Sequence, residues 1–487
     1  MIVKRFYDDT LAQASYLIGC GRTGNAIVID PSRDIDQYLR MAETEEVAVT
    51  HVTETHIHAD FVSGSRELAV RTGAALYLSA EGGPDWQYAY ARDAGAVLVR
   101  DGDHIMVGNV RLDVVHTPGH TPEHLAFLVT DTAAATEPMA IVTGDFVFVG
   151  DVGRPDLLEK AAKVQGTMEA GARTLFRSVQ RFKAYPDYLQ LWPGHGAGSA
   201  CGKGLSAVPQ STVGYERRFN WALGIEGEDD FVRQVLTGQP EPPAYFAEMK
   251  RINRDGPRIL NGFATPQWLP EVRLPEVLAR QAFVIDARPA AEFAAGHVPG
   301  TINIPLNRSF TTWAGWLTPF DEDFYLIVDD SGSDRGAHNV NVAARELAMI
   351  GLDRFAGYFG VNAVKDWGRS GHDLQTIRQV TSTELAGQLA RGTVSVIDVR
   401  GQSEWEAGHL PGIPNIPVGY LVQRLAEVPR DRPVVVHCQG GGRSAIAASV
   451  LQAHGIPNVV NLSKGYQEWA TAGLPVEREA DAVHAGH

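Results

Sequence analysis

Thr55-His56-Ile57-His58-Ala59-Asp60-Phe61 follows an apolar run at residues 47–52 that reads as a strand, and a helix-forming run begins after Ser65. A strand-to-helix turn converges side chains on one point without straining a regular element. A complete His-x-His-x-Asp-His run places four ligands on such a turn, enough to help hold two metal ions. Here the fourth place is Phe61, an apolar ring that coordinates nothing. The motif therefore reads as that of a two-metal hydrolase that has lost one metal and with it the hydrolytic chemistry.

Three more loops extend the pattern: His116-Thr117-Pro118-Gly119-His120-Thr121, Ile141-Val142-Thr143-Gly144-Asp145 and Trp192-Pro193-Gly194-His195-Gly196. A lone loop histidine is usually a solvated side chain, and a lone Gly-Asp is usually turn chemistry. Four such loops, each at the end of an apolar run, point to a metal site. Strands are predicted at residues 15–18, 26–30, 96–99, 110–116, 126–129, 140–143 and 189–192, which suggests an α/β sandwich of two sheets. Gly19-Cys20-Gly21-Arg22-Thr23-Gly24 matches G-x-G-x-x-G, but a strand follows it instead of the helix that would hold a pyrophosphate. That loop reads as a hairpin. A Pro-rich stretch at residues 238–243 marks where this part thins out.

The chain has 487 residues, too many for one core, and 44% hydrophobic against 21% charged residues is ordinary for globular protein. A net charge of −15 argues against nucleic acid and against an anionic membrane surface. No apolar run is long enough to span a bilayer, and the first residues lack a secretory core. Three cysteines, Cys20, Cys201 and Cys438, exclude a disulfide scaffold and lead to the expectation of a reducing cytoplasm.

The second half repeats itself. Ile285-Asp286-Ala287-Arg288, Gly296-His297-Val298-Pro299-Gly300 and Asn303-Ile304-Pro305 return as Ile397-Asp398-Val399-Arg400, Gly408-His409-Leu410-Pro411-Gly412 and Asn415-Ile416-Pro417, at an offset of 112 residues held throughout. Trp367 and Gly371 answer Trp469 and Gly473 at a shorter offset, so the first copy carries an insertion. Two tandem α/β units follow. The expected domains are 1–245, 246–375 and 376–487.

In the second copy a buried parallel strand, Val434-Val435-Val436-His437, runs into Cys438-Gln439-Gly440-Gly441-Gly442-Arg443 and a helix over 444–454. Amides of a Gly-rich loop, a positive helix end and Arg443 all favour the anionic form of that sulfur. Asp398, Arg400, Glu404 and His409 read as fold-stabilising. In the first copy, aligning Arg335 with Arg443 puts Asp330 at the nucleophile position, and a carboxylate carries no sulfur. That copy reads as a spacer, a packing surface or an oligomer contact.

The four metal loops resemble the metallo-β-lactamase fold over about half the chain. Gly144-Asp145-Phe146 through Gly153-Arg154-Pro155-Asp156 looks most like the persulfide dioxygenases and their glyoxalase II relatives. In dinuclear members the residues matching His56, His58 and His120 hold one metal. Those matching Asp60, Phe61 and His195 hold the other, with Asp145 bridging. In the persulfide dioxygenases one iron is held by the residues matching His56, His120 and Asp145. The C-x4-R loop at Cys438 resembles a rhodanese. The order of units resembles the persulfide dioxygenase–sulfurtransferase fusions: a metallo-β-lactamase αββα sandwich, then two tandem rhodanese-like α/β domains, the first inactive.

The resemblance implies one Fe(II) per chain at His56, His120 and Asp145. Two histidines and a carboxylate with open positions opposite are a ligand set for non-haem iron and O2. His58 and Asp60 would orient ligands and water. His195 either hydrogen-bonds a metal-bound species or is left over from the lost site. Cys201 either relays a persulfide or is a small loop residue, and Cys20 is structural. Arg154 either grips an anionic substrate or makes a structural ion pair, and Lys203, Arg217 and Arg218 are further candidates for lining the cleft. The implied reaction oxidises a low-molecular-weight thiol persulfide (glutathione, coenzyme A or bacillithiol type) with O2 to sulfite and thiol. Cys438, with Arg443, then passes sulfane sulfur to sulfite, giving thiosulfate. The alternatives are a zinc glyoxalase II-type thioester hydrolase fused to a sulfurtransferase, and a sulfur carrier or sensor that only binds metal. The expected partners are the persulfide, O2, sulfite and copies of the same chain in a dimer or tetramer, with no nucleic acid and no membrane.

Overall fold

Along Gln13–Cys20, Tyr16 and Ile18 enter one core while Leu17 enters another, and on Asn25–Ile29 the residues Ile27 and Ile29 part from Val28 in the same way. Strands buried on both faces produce this division, because successive side chains point to opposite sides. In the computed structural model, which describes residues 1–160, 166–239 and 241–478, these strands belong to a six-stranded sheet. Its spatial order is Ile2–Asp8, Gln13–Cys20, Asn25–Ile29, Ala48–Thr53, Ala75–Ser79, Val97–Val99. A second sheet runs Ser211–Thr212, Gln190–Pro193, Ala140–Gly144, Leu125–Asp131, Val110–His116, His104–Val107.

Between the sheets lie Tyr16, Ile18, Ile27, Leu112, Phe127 and Val142. On the outer face of the first sheet, Leu17, Val28 and Val52 pack on Tyr38 and Ala42 of helix Asp36–Thr44 and on Leu68 of helix Ser65–Thr72. Outside the second, Ala126, Ile141 and Leu191 pack on Leu175 and Val179 of helix Thr167–Phe182 and on Phe231 and Val235 of helix Glu228–Leu236. Helix, sheet, sheet, helix is the resulting order of layers. Each fully buried core side chain contributes roughly 1.5–3 kcal/mol.

The first compact unit is Met1–Ala264 with Ala348–Gly351, so it passes the expected boundary at 245. The reason is helix Phe246–Asp255, which buries Phe246 and Met249 and turns Asn253 onto the metal loop. Pro240, in the expected boundary stretch, lies outside the described residues, as does the side chain of Arg335. Ile2–Asp8, Ala75–Ser79 and His104–Val107 are strands that periodicity did not reveal. Ile2–Asp8 is half-buried along its whole length and carries Lys4, Arg5 and Asp8. Among the described residues no helix is long and apolar enough to cross a membrane.

The second unit holds two parallel four-stranded sheets. Their orders are Ile302–Asn303, Phe283–Asp286, Phe324–Val328, Phe355–Gly360 and Arg378–Val380, Val459–Leu462, Val434–His437, Ser395–Asp398. The repeat is one set of contacts built twice. Arg288 clasps Asp286 as Arg400 clasps Asp398. His297 stacks on Phe293 and His409 on Trp405, each at 3.8 Å between ring centroids. Asn303 and Asn415 each donate to the two carbonyls beside their Asp-x-Arg turn.

Candidate metal centre and thiol site

Residues 54–64 leave the strand Ala48–Thr53 as an irregular loop held by side chains from elsewhere. Asp30 accepts from the Thr55 amide at 2.6 Å, from Thr55 Oγ1 at 2.9 Å, and faces His58 Nε2 at 3.2 Å. Glu54 takes the hydroxyls of Ser63 and Ser65. Asn253 donates to the carbonyls of His58 (2.8 Å) and Phe61 (2.7 Å) and accepts from the Ser63 amide (2.9 Å). Asn253→Ala is expected to cost about 1–3 kcal/mol, because it strands buried backbone groups. It should also loosen metal retention, read by urea unfolding and by metal content after dialysis.

The hydrogen bonds fix which ring nitrogen of each histidine faces inward. The single Thr55 hydroxyl proton is spent on Asp30, so His56 Nδ1, 2.9 Å away, must donate to Thr55 and leave its Nε2 lone pair free. His120 Nδ1 donates to the Arg154 carbonyl at 3.1 Å, and His195 Nδ1 to the Ala12 carbonyl at 3.0 Å. The Nε2 atoms of His56 and His120 then face Asp145 Oδ2 at 3.9 and 3.7 Å. Burial, then the neighbouring histidine charges, hold His56 well below the usual imidazole range, and burial lowers His120. Neutral rings aiming lone pairs at a carboxylate without a donor are the donor set of a cation site, so the residues fit a metal ion.

Asp145 is held from behind by His124, whose Nε2 accepts the Asp145 amide at 3.1 Å while its Nδ1 reaches Thr117 Oγ1 at 2.8 Å. Gly144 has φ +49°, and a Cβ there would lie 2.5 Å from Thr55 Oγ1, so only glycine lets the two loops meet. His58 turns to Asp30 and Glu54; burial alone would lower it, but those carboxylates raise it to about 9. Phe61 is fully buried, 4.4 Å from the His58 ring between centroids.

A second group gathers alongside: Asp60, His195 and Cys201, all buried, offer ligand atoms within 4.8 Å of one another. His195 Nε2 lies 3.2 Å from Asp60 Oδ2 and 3.5 Å from Asp145 Oδ1. Burial, then the charges of Asp145 and Asp60, push the Cys201 thiol well up.

The proposed substrate arginines are placed differently. Arg154 is fully buried, clasps Asp156 and donates to the Ala200 carbonyl at 2.9 Å, which secures the Cys201 loop and makes the structural ion pair. Arg217 pairs with Asp187 and donates to the Lys183 carbonyl. Lys203 lies over Trp221 and donates to the Gln234 carbonyl, and Arg218 is exposed on helix Val213–Phe219.

In the second unit Cys438 ends the strand Val434–His437 and is buried. Its sulfur accepts the Gly441 amide at 3.1 Å and lies 3.5 Å from Ser444 Oγ, at the start of helix Gly442–Ala453. Gly441 has φ +95°, and a Cβ there would run into the Ser463 carbonyl. Arg443 is bound to Glu404 through both nitrogens, at 2.6 and 2.7 Å, so it braces the loop as part of an ion pair. A cavity of about 670 Å³ opens at Cys438, and its far wall is Pro289, Leu306, Asn307 and Trp313 of the first repeat. No sequence signal pointed to that wall. Strand register pairs Asp286 with Ile327 and Asp398 with His437, so Val328 stands where Cys438 does and the following loop is longer than its counterpart. By either alignment that loop offers no thiol.

The family model described as the metallo-beta-lactamase superfamily matches residues 8–195, and that of the rhodanese-like domain matches twice, at 273–365 and 381–472. The fold matches a crystal structure of a metallo-beta-lactamase from Staphylococcus aureus at 42% identity, covering 74% of this chain and 99% of that one with a TM-score of 0.66. An HTH-type transcriptional regulator of Mycobacterium tuberculosis is 39% identical over 106 residues, 22% of this chain and 47% of that protein. The hydroxyacylglutathione hydrolase of Rhodospirillum rubrum is 28% identical over 185 residues, 37% of this chain and 60% of that protein. The chain thus spans about half the length of the first of these two relatives and 60% of the second.

Proposed function

The chain belongs to the metallo-beta-lactamase superfamily and carries two rhodanese-like domains behind that first unit, and from this premise we propose that it is a persulfide dioxygenase with an attached thiosulfate-forming sulfurtransferase. One observation carries the reading: a two-histidine, one-carboxylate metal set and a cradled nucleophilic thiol occur in one chain, and sulfur is the element both can handle.

His56, His120 and Asp145 would hold a ferrous ion, which when bound supplies O2 activation and open positions for a sulfur ligand. The chain's own residues keep the set in shape. Asp30 and Thr55 orient His56, the Arg154 carbonyl orients His120, and His124 holds Asp145. Burial of all three ligands keeps bulk water out. The overall reaction converts a thiol persulfide, O2 and water into thiol and sulfite.

At the other site the Cys438 thiolate attacks the terminal sulfur of a second persulfide, whose S–S bond breaks and releases the thiolate of the carrier. Sulfite then attacks the outer sulfur of the Cys438 persulfide, thiosulfate leaves, and the Cys438 thiolate returns. The Gly441 amide and Ser444 hydroxyl hold the sulfur through both steps. The first repeat, without a thiol, serves as the wall of the cavity and selects the carrier. Trp313→Ala should raise KM for a glutathione or coenzyme A persulfide about tenfold, ~1.4 kcal/mol, and change the sulfite KM little. Equal effects on both would deny the wall this role. The free cysteines suit the reducing cytoplasm in which we place the activity.

Iron-loaded protein is expected to consume O2 when given glutathione persulfide and to release thiosulfate. Retention of Asp60 and His195 favours one rival, a zinc thioester hydrolase with the same attached sulfurtransferase. Bound zinc, thioester hydrolysis and no oxygen uptake would establish that rival instead.

A further inference from the structure

We propose that a cavity beside the last turn of helix Thr167–Phe182, with Asp101 and Arg181 at its mouth, binds a free α-amino acid with an apolar side chain. It lies within the first unit and stands apart from the chemistry proposed for the metal set and for Cys438.

The cavity holds about 310 Å³, at the small end of ligand pockets. Its apolar wall is Val115, Phe146, Phe182 and Tyr185, which belong to the core outside the second sheet. Phe146 meets Phe182 edge to face at 5.8 Å between centroids, and Phe182 meets Tyr185 the same way at 6.2 Å, so the rings brace one another. Two opposite charges, Asp101 and Arg181, line the same cavity and are exposed. They do not pair with each other. Both are fixed on the backbone of His116: Asp101 Oδ1 accepts its amide at 2.7 Å, and Arg181 Nη2 donates to its carbonyl at 2.8 Å. Asp101 Oδ2 and the Nε and Nη1 of Arg181 are left without partners among the described residues. Both charges act on the Tyr185 hydroxyl, which places all three groups around one opening.

This arrangement selects the ligand by charge. A simple anion would satisfy Arg181 but face the Asp101 carboxylate, and a simple amine would satisfy Asp101 but face the guanidinium. A peptide carries its two end charges too far apart. An α-amino acid carries both on one carbon, the ammonium for Asp101 and the carboxylate for Arg181. The partners these two side chains already hold, the N–H and C=O of a single residue, show that they are set at that spacing. The third substituent of the same carbon then points away from both charges, into the ring-lined space. Aromatic and thioether side chains suit such a wall, by edge-to-face and sulfur–aromatic contact. Because both charges are exposed, water screens their share of the binding. The expected dissociation constant is therefore modest, roughly 0.1–1 mM.

The test is calorimetric titration of the full chain with L-phenylalanine and L-methionine, run at two temperatures so that a vanishing heat at one does not hide binding. One equivalent of each is expected to bind. N-acetyl-L-phenylalanine, which lacks the ammonium, and L-phenylalanine amide, which lacks the carboxylate, should each bind about tenfold more weakly. L-serine, with both charges and no apolar side chain, should not bind measurably. Asp101→Asn and Arg181→Gln keep a polar group for His116 and remove the charge, so each should weaken L-phenylalanine about tenfold, with circular dichroism confirming the fold. No binding of L-phenylalanine or L-methionine up to their solubility overturns the site. So does acetylated or amidated ligand that binds as well as the parent amino acid, and so does affinity that survives both substitutions.

Discussion

His120→Ala is expected to strip the metal from the His56, His120 and Asp145 set and to abolish oxygen consumption, while sulfur transfer through Cys438 continues. The size follows from ligand count. Apparent binding energies of about 10–16 kcal/mol for a four-ligand zinc site put each ligand at roughly 2.5–4 kcal/mol, or about two to three orders of magnitude in affinity. The neighbours make this loss hard to repair. Of the two imidazoles packed beside His56, His58 is drawn to Asp30 at 3.2 Å, and His124 spends its Nε2 on the Asp145 amide at 3.1 Å. Neither can turn inward without giving up a buried partner, which costs about 1–3 kcal/mol. His116, whose Nε2 reaches the Pro122 carbonyl, is the control: His116→Ala should keep metal and oxygen uptake near those of the parent. Metal content after dialysis and an oxygen electrode read both variants. Full iron occupancy in His120→Ala would mean that the ligands are others.

The strands leading into the metal loops were legible because apolar runs and their abrupt ends are written in consecutive residues. Val110–His116 and Val434–His437 fall where the periodicity put them. What holds those loops was not legible. Asp30 ends an apolar strand with φ +52° and looks like any turn aspartate, yet it anchors Thr55 and His58. Asn253 reaches the loop from a helix more than 190 residues further on, and no local pattern marks it. Arg154 was legible only as a choice between two roles. An arginine beside a ligand loop reads equally as an anion grip or as a structural ion pair, and only the fold shows the ion pair with Asp156 two residues away. The same limit hid Trp313. The repeat could be read as a duplicated fold, but the cavity wall that one copy lends the other arises only from tertiary packing.

Cys438→Ser should leave oxygen uptake on glutathione persulfide largely unchanged while the product shifts from thiosulfate to sulfite. The sulfur sits at the N-terminus of Gly442–Ala453, within reach of the Gly441 amide and the Ser444 hydroxyl. Oxygen in its place keeps those hydrogen bonds, so the loop and the Arg443–Glu404 pair should persist. A serine hydroxyl cannot accept sulfane sulfur under these conditions, because a neutral alcohol is a poor nucleophile and forms no persulfide. Enzymatic thiosulfate formation should therefore fall by orders of magnitude, leaving only the direct reaction of sulfite with free persulfide. Glu404→Gln separates bracing from chemistry. It breaks the ion pair that fixes Arg443 but keeps the thiol, so it should slow transfer without abolishing it. Product analysis of both variants, corrected for the uncatalysed reaction, decides the matter. Thiosulfate at the parent's yield from Cys438→Ser would refute the coupling, since Cys20 and Cys201, the other free thiols, are buried in the first unit.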